Sequence, residues 1–536
     1  VGRESFSRAC QRKKLVLRIA TAEPLAAGVR ANLVTTLASP DGTTAATAPF
    51  SRSDARTLVC ELTPQHPGLH SFRAEFSVDD GKTWLRDTVA DAWVLIDPPQ
   101  VDALRIYTLI PAASGTLADW AADLPRIRAM GFSAIHILPI TAQDVSQSPY
   151  SARDLFDIDP SYLIPGSPRQ PLEQLADFIG AAKSAGLRLC FDIVLNHIGP
   201  LSAMAVRAPD WITPDTDRPD GFRRARYWDD DAWRTWEDLV LINYEHPSES
   251  IRAEIWAYMT EYALFWAKFA DDTGGFVRFD NLHSSDPGFV TSLTTALHAA
   301  YPEVGVLAEY FTDETTLLHT GPEWGLNLNL ATPWSYKFAP ELREYLRRIH
   351  RVSGQIRYFM PITSHDSGSP AQEFGSADST VPRYVAAALL GTGATGVPQG
   401  VEFGERERIN FIGRRAKAPR PDNARFGLFI GKVNAILADH AAFRCGENCR
   451  FIDGEHPAII AAFRRDAEGA GYLVACNFDT LGPQRLEVDL SAELGDTGPF
   501  RATELLSGGN VTFGQPTFDI VLGPCEARVY QWDKRA

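Results

Sequence analysis

The chain has 536 residues, a formal net charge of −15, 45% hydrophobic and 22% charged residues. That length exceeds one ordinary core and predicts about two to four domains. The acidic balance argues against nucleic acid or an anionic membrane as the main partner, leaving neutral substrates and cations open, and no run approaches the roughly 20 apolar residues that span a bilayer.

Residues 1–98 predict a small all-β domain. Leu15–Ala20, Val29–Leu37, Thr57–Leu62 and His70–Phe76 are short and partly alternating, separated by turn signals such as Ser39-Pro40-Asp41-Gly42. A β-sandwich fits this pattern, with a structural accessory role as its simplest reading, and Asp97-Pro98-Pro99 makes a stiff linker.

From Val101 the rhythm changes to strand, helix, strand. Strands are expected at Leu104–Ile110, Ser133–Leu138, Leu187–Val194, Phe276–Phe279, Val304–Ala308, Leu326–Leu330, Tyr358–Ile362 and Ala394–Pro398. Helices are expected at Leu117–Met130, Pro171–Ala185, Ile251–Phe269 and Phe289–Ala300. Eight strands alternating with helices over 99–440 predict an α/β fold of the (β/α)8 TIM-barrel type, and the first strand lacks the glycine-rich loop of a nucleotide-binding open sheet.

More than fifty residues separate Val194 from Ile251, and they hold Trp211, Tyr227, Trp228, Trp233, Trp236 and Tyr244. A connection of that length is functional or forms a subdomain, here expected over about 198–250. Aromatic faces in it suit sugar rings; a self-packed excursion explains any one of them equally well. After His440 short strands return at Ala458–Arg464, Tyr472–Phe478, Arg485–Leu490, Phe518–Leu522 and Ala527–Trp532, predicting a second β-sandwich over 441–536.

Seven cysteines without zinc-ligand spacing predict reduced thiols. With the opening VGRESFSRAC, which carries neither methionine nor an apolar leader, they predict a cytoplasmic protein whose start is trimmed.

The polar residues that end the barrel strands carry the chemistry. Asp192, Asn196 and His197 follow the third strand, and Arg278 and Asp280 end the fourth, with Asn281 next. Glu309 ends the fifth; His365 and Asp366 follow the seventh. In such a barrel these ends share one face, where active sites are built. An isolated Arg278–Asp280 pair reads equally as a structural ion pair, but three acids from three strands converge here. Crowded carboxylates keep one proton among them, the equipment of retaining glycoside hydrolysis. Arg278 two residues before Asp280 predicts an ionised nucleophile, and the apolar neighbours Leu307, Ala308, Tyr310 and Phe311 predict a protonated Glu309.

FDIVLNH, GFVRFDNLH, VLAEYF and ITSHD, in this order, resemble the four signature regions of the α-amylase superfamily, and Gly396-Val397-Pro398 through Glu402-Phe403-Gly404 resembles the segment after its eighth strand. The resemblance implies Asp280 as nucleophile, Glu309 as acid/base and Asp366 as the third acid, with Asp192, His197, Arg278, Asn281 and His365 lining the same subsite. Tyr150, in SPYSARD, matches the tyrosine that stacks on the sugar ring. SPYSARD, DNLHSS and FMPITSHDS resemble the 4-α-glucanotransferase half of glycogen debranching enzymes; their glucosidase half is missing. The alternative of the same class is a maltosyltransferase using maltosyl phosphate, although YEHPSES lacks the lysines those enzymes place there. A small α-glucoside hydrolase and a catalytically silent carbohydrate-binding protein are the other readings. The expected partner is an α-glucan or maltooligosaccharide. No metal or other cofactor is expected to be required; Ca²⁺ through Asn196 with Asp215, Asp217 or Asp229–Asp231 is the exception the resemblance allows.

Overall fold

The computed structural model describes all residues except 1–5, 41, 87–90, 230–231, 414–423, 447, 496–497 and 533–536. Eight parallel strands close into a barrel: β1 (Leu104–Leu109), β2 (Ala134–Ile137), β3 (Arg188–Val194), β4 (Phe276–Asp280), β5 (Gly305–Ala308), β6 (Leu328–Leu330), β7 (Tyr358–Pro361) and β8 (Ala394–Pro398). Helices follow them in turn: α1 (Leu117–Ala129), α2 (Pro171–Ser184), α3 (Glu249–Asp271), α4 (Pro287–Ala300), α5 (Glu314–Glu323), α6 (Ala339–Val352), α7 (Thr380–Leu389) and α8 (Gly427–Asp439). The TIM-barrel expectation therefore holds, and all eight expected strands are present. The last four helices, unassigned from the sequence, complete the ring.

Two packing systems explain why these strands are apolar throughout. Outward residues such as Phe191, Ile193, Val277 and Phe279 join the helices in one large core. Inward residues Leu104, Ile106, Cys190, Phe276, Leu307 and Phe359 fill the barrel itself. Gly275 lets β4 approach β3, because a Cβ there would lie 2.0 Å from the Leu189 carbonyl oxygen. Beyond β4 the chain turns at Asn281 (φ 47°) into a 3-10 turn, and Asp286 then caps α4 by accepting from the Phe289 N–H. The polar run after Asp280 is thus a turn and a cap.

On the N-terminal side, a sheet led by Phe6–Cys10, parallel to Ala92–Asp97, faces a three-stranded sheet containing Leu15–Ala20 and Thr57–Leu62. It is tied to the barrel by Arg8, which donates to Asp97 Oδ1 and to the carbonyls of Leu326 and Gln355. On the C-terminal side, a six-stranded sheet and the pair Gln484–Asp489 and Thr517–Leu522 enclose their own core. Arg343 of α6, fully buried, enters it to meet Asp453 at 2.9 Å and the Ile459 carbonyl. Seven free cysteines leave no disulfide in either region, and among the described residues no helix is long and apolar enough to cross a membrane.

The long connection after β3 contains a β-hairpin, Arg224–Asp229 with Ala232–Leu241, whose second strand pairs with His197–Ile198. Its base therefore sits at the barrel mouth.

Candidate active site

Period-two alternation decides which side chains enter the mouth. With Cys190 and Phe276 inside the barrel, Asp192, Arg278 and Asp280 follow them on the inner face, and Asp192 pairs in register with Arg278.

Arg278 is the hub. Its Nη1 donates to both oxygens of Asp192, at 2.8 and 2.7 Å, and to Asp280 Oδ1 at 2.7 Å. Its Nη2 lies 2.7 Å from Glu309 Oε2, which also accepts the Asn281 N–H at 2.9 Å. One planar guanidinium thus spans three carboxylates, a task that suits its fork geometry.

Two sequence expectations need correction here. Arg278 does not single out Asp280, since it binds Glu309 at the same distance. Nor is Glu309 enclosed by apolar groups: Phe311 is 44% exposed, and Glu309 is itself paired with Arg278 and a backbone amide. Crowding instead acts on Asp280. Burial raises its carboxyl, Arg278 opposes this, and the nearby Glu309, Asp192 and Asp366 add to the rise, leaving it well above the usual range.

Asp192 is the opposite case. Burial would raise it, but Arg278 and His136, whose Nε2 lies 3.0 Å away, hold it at about 2. Tyr150 donates to the same carboxylate at 3.1 Å, and its hydroxyl lies 2.5 Å from His365 Nε2. The Tyr150 and His365 rings stack nearly parallel, with centroids 5.8 Å apart. His365 Nε2 also lies 3.0 Å from Asp366 Oδ2. Desolvation at the mouth raises Asp366 and the His365 ring more than offsets it, so its carboxyl stays below its ordinary range; the side chain is 52% exposed and reaches solvent.

His197 is buried beside the hairpin base, and neither ring nitrogen has a hydrogen-bond partner among the described residues. Burial lowers it to about 4, so it is neutral at ordinary pH. Asn196 is equally buried, and its amide lacks partners among the described residues. It lines a cleft of about 570 Å³ together with Arg223, Arg226, Asn281 and Ser284. Asp215 and Asp217 line the same cleft, but among the described residues no group of three or more His, Cys, Asp or Glu converges to hold a metal. Asn196, Asp215 and Asp217, the donors the resemblance allows for Ca²⁺, share the lining of this cleft. Asp230 and Asp231 lie outside the described residues, as does the Asp229 side chain.

All nine expected site residues fall at the barrel mouth or its rim. Eight are joined by the contacts above, and His197 stands beside them without one. Three participants escaped the sequence reading. His136 was signalled only by a lone polar residue in the apolar run SAIHILP. Phe411, packed edge-on against Tyr150 and His365, and Arg408, which donates to the Asp366 carbonyl, lie in the irregular segment after β8 and gave no periodic signal.

Comparisons with known proteins agree with this geometry. A family model described as the glucanotransferase domain of glycogen debranching enzyme matches residues 98–213. An α-1,4-glucan:maltose-1-phosphate maltosyltransferase of Rhodospirillum rubrum is 25% identical over 462 residues, 77% of this chain and 63% of that protein. The protein of that name from Mycobacterium tuberculosis is 23% identical over 452 residues, 77% of this chain and 61% of that protein. The chain spans less than two thirds of the length of these relatives. Among solved structures, an α-amylase from Lactobacillus plantarum superposes with a TM-score of 0.64 at 19% identity, covering 81% of this chain and all of that one. A cyclomaltodextrinase gives 0.64 at 16% identity over 99% of this chain and 98% of that one. The chain thus shares the barrel fold of these structures and is similar over its barrel to the glucanotransferase domain model and to the maltosyltransferases named above.

Proposed function

We propose that this chain is a retaining maltosyltransferase, moving a maltosyl unit from an anomeric phosphate donor to the end of an α-1,4-glucan. The observation that carries retention is the single guanidinium of Arg278 spanning Asp280 and Glu309. Carboxyls bridged so closely suit the roughly 5–5.5 Å separation of retaining enzymes better than the roughly 6.5–9.5 Å gap that admits a water.

In this reading Asp280 attacks the anomeric carbon and Glu309 protonates the departing oxygen. Glu309 then takes the proton of the acceptor hydroxyl, which displaces Asp280 from the sugar. The proton that crowding keeps in the pair has to lie on Glu309 when donor binds. Asp366 and His365, with the partnerless His197, are the groups that hold the reacting ring through its hydroxyls, and Tyr150 lies beside it.

The phosphate donor rests on two supports. The relatives that match across the barrel carry that donor in their names, which favours this alternative over the 4-α-glucanotransferase or amylase reading. Arg223 and Arg226 line the cleft beside Asn281, where a leaving phosphate would need cations. The missing lysines of YEHPSES and the debranching-type match over 98–213 favour the second reading, disproportionation of α-1,4-glucans without phosphate.

Incubation with maltose 1-phosphate and maltohexaose separates the two. The first reading expects phosphate release with products longer by two rings. Phosphate-independent mixtures of longer and shorter chains from maltohexaose alone would replace it with the second.

A further inference from the structure

The mouth of the barrel is closed on one side by a small apolar cluster distinct from the main core. Ile110, Ala112, Ala113, Leu138, Tyr150, Val194 and Phe411 are its buried members, and Ile409 packs against it. Its contributors come from the connections after β1 and β2, from the end of β3, and from the segment after β8, which crosses over them.

That segment is fastened at both flanks. The Gly413 N–H donates to the Gln147 carbonyl at 2.9 Å, tying it to the connection after β2. On the other side the Arg408 N–H donates to Gln372 Oε1 at 2.9 Å, Ser369 Oγ donates to the Arg406 carbonyl at 2.6 Å, and the Arg408 guanidinium donates to the Asp366 carbonyl. Between these ties Phe411, only 8% exposed, sets its ring edge-on to Tyr150 and His365 at 5.8 and 5.6 Å. The Arg408 guanidinium lies 5.8 Å from its centroid.

Glu309 fixes which side of the reacting ring this is. A leaving-group oxygen has to meet Glu309, so the aglycone and acceptor lie toward Asn281, Ser284 and the hairpin cleft. Tyr150 and His365 lie across the Arg278 hub from it, and Phe411 stands behind them. That is the side along which a long glycone would run.

We propose that Phe411, buttressed by Arg408 and Ile409, ends the glycone side of the cleft and limits the transferred unit to a short oligosaccharide of about two rings. This inference rests on the proposed transglycosylase, but not on its phosphate donor. Apart from the Tyr150 hydroxyl, the side chains of this cluster offer a sugar no hydrogen-bonding group, so a further ring would meet Phe411 instead of a subsite.

α-Glycosyl fluorides test it, because they need neither phosphate nor protonation by Glu309. The measurement is the ratio of kcat/KM for α-maltosyl fluoride to that for α-maltotetraosyl fluoride. Wild type is expected to favour the short donor about a hundredfold, the range a shaped pocket achieves against an oversized substrate. Phe411→Ala is expected to collapse the ratio to about tenfold or less, and Phe411→Tyr to keep it. Should Phe411→Ala fail to fold, Phe411→Leu and Arg408→Ala read the same ratio. Equal use of both donors by wild type, or an unchanged ratio in folded Phe411→Ala or Phe411→Leu, overturns the glycone limit. No turnover of either fluoride by wild type removes the transglycosylase reading itself, a distinct result.

Discussion

Arg278 Nη2 lies 2.7 Å from Glu309 Oε2, while the other terminal nitrogen of the same guanidinium holds Asp280 and Asp192. The geometry depends on a planar fork: a lysine ammonium in this place is a point donor and cannot span carboxylates on three strands. Arg278→Lys keeps the charge and loses the spacing. The expected loss in kcat/KM is about 10²–10⁴-fold, comparable to removing acid–base catalysis. Steady-state kinetics on maltose 1-phosphate and on α-maltosyl fluoride check it, and a variant within threefold of wild type on both would deny Arg278 this role.

Exchange of the two reacting carboxyls separates their parts. Asp280→Asn is expected to abolish turnover of every donor, because no covalent intermediate forms. Glu309→Gln should block natural donors and spare α-glycosyl fluorides in the first step, since fluoride leaves without a proton. Intact-mass detection of a trapped glycosyl-enzyme in Glu309→Gln, on a peptide containing Asp280, would complete the assignment. Trapping on any other residue would undo it.

What was legible in the sequence follows from where period and packing coincide. The strand Ala394–Pro398 and the helix starting at Leu117 were read closely, because their apolar residues are fixed by two packed layers. Asp192, Arg278 and Asp280 stood out because a charge inside an all-apolar strand needs a partner. The partners of Glu309 come from β4 and the turn at Asn281, contacts that its neighbours in the chain do not reveal. Helix α7 went unassigned for a related reason: it is buried on nearly every side, which blurs an amphipathic pattern. Phe411 sits in an irregular segment, where no period exists to read.

Asp97 joins the N-terminal sheets to the barrel. Fully buried, it meets Arg8 at 3.0 Å and Arg357 at 3.4 Å, and accepts from Asn327 Nδ2 at 3.0 Å. Its removal strands buried Arg8, so Asp97→Ala is expected to cost about 3–5 kcal/mol. Thermal melts would show a lower or split transition while the catalytic acids remain in place. An unshifted melt would mean that the two regions hold together without this ion pair.

Acid weakens the fold through His197 in a predictable window. Its folded-state value of about 4 lies below the ordinary 6.5, so as pH falls from 6.5 toward 4 the unfolded chain binds a proton that the folded chain refuses. Stability is lost across that interval, about 2 kcal/mol by pH 5. Asp192, held at about 2 against an ordinary 3.8, removes more only below pH 4. In His197→Gln the drop in melting temperature between pH 7 and pH 5 should shrink. A drop as steep as in wild type would assign the acid sensitivity to other groups.

In the proposed transferase, the hairpin after β3 is expected to decide how well an acceptor sugar competes with water. Tyr227 and Trp236 stack with centroids 4.4 Å apart, giving a fixed aromatic pair partway along it. Trp236 lies in the bulged stretch between Thr235 and Val240, on the side of the hairpin base at Leu241. Trp233 is 64% exposed and pairs with Trp228, nearer the tip than Trp236. The Trp228 side chain lies outside the described residues. Trp236→Ala should raise acceptor KM about tenfold and increase the share of hydrolysis, through loss of a stacking contact of roughly 1 kcal/mol or more. Trp233→Ala should leave both nearly unchanged with short acceptors. Product profiles at high maltohexaose concentration would reveal the difference, and equal effects of the two substitutions would place the acceptor path elsewhere.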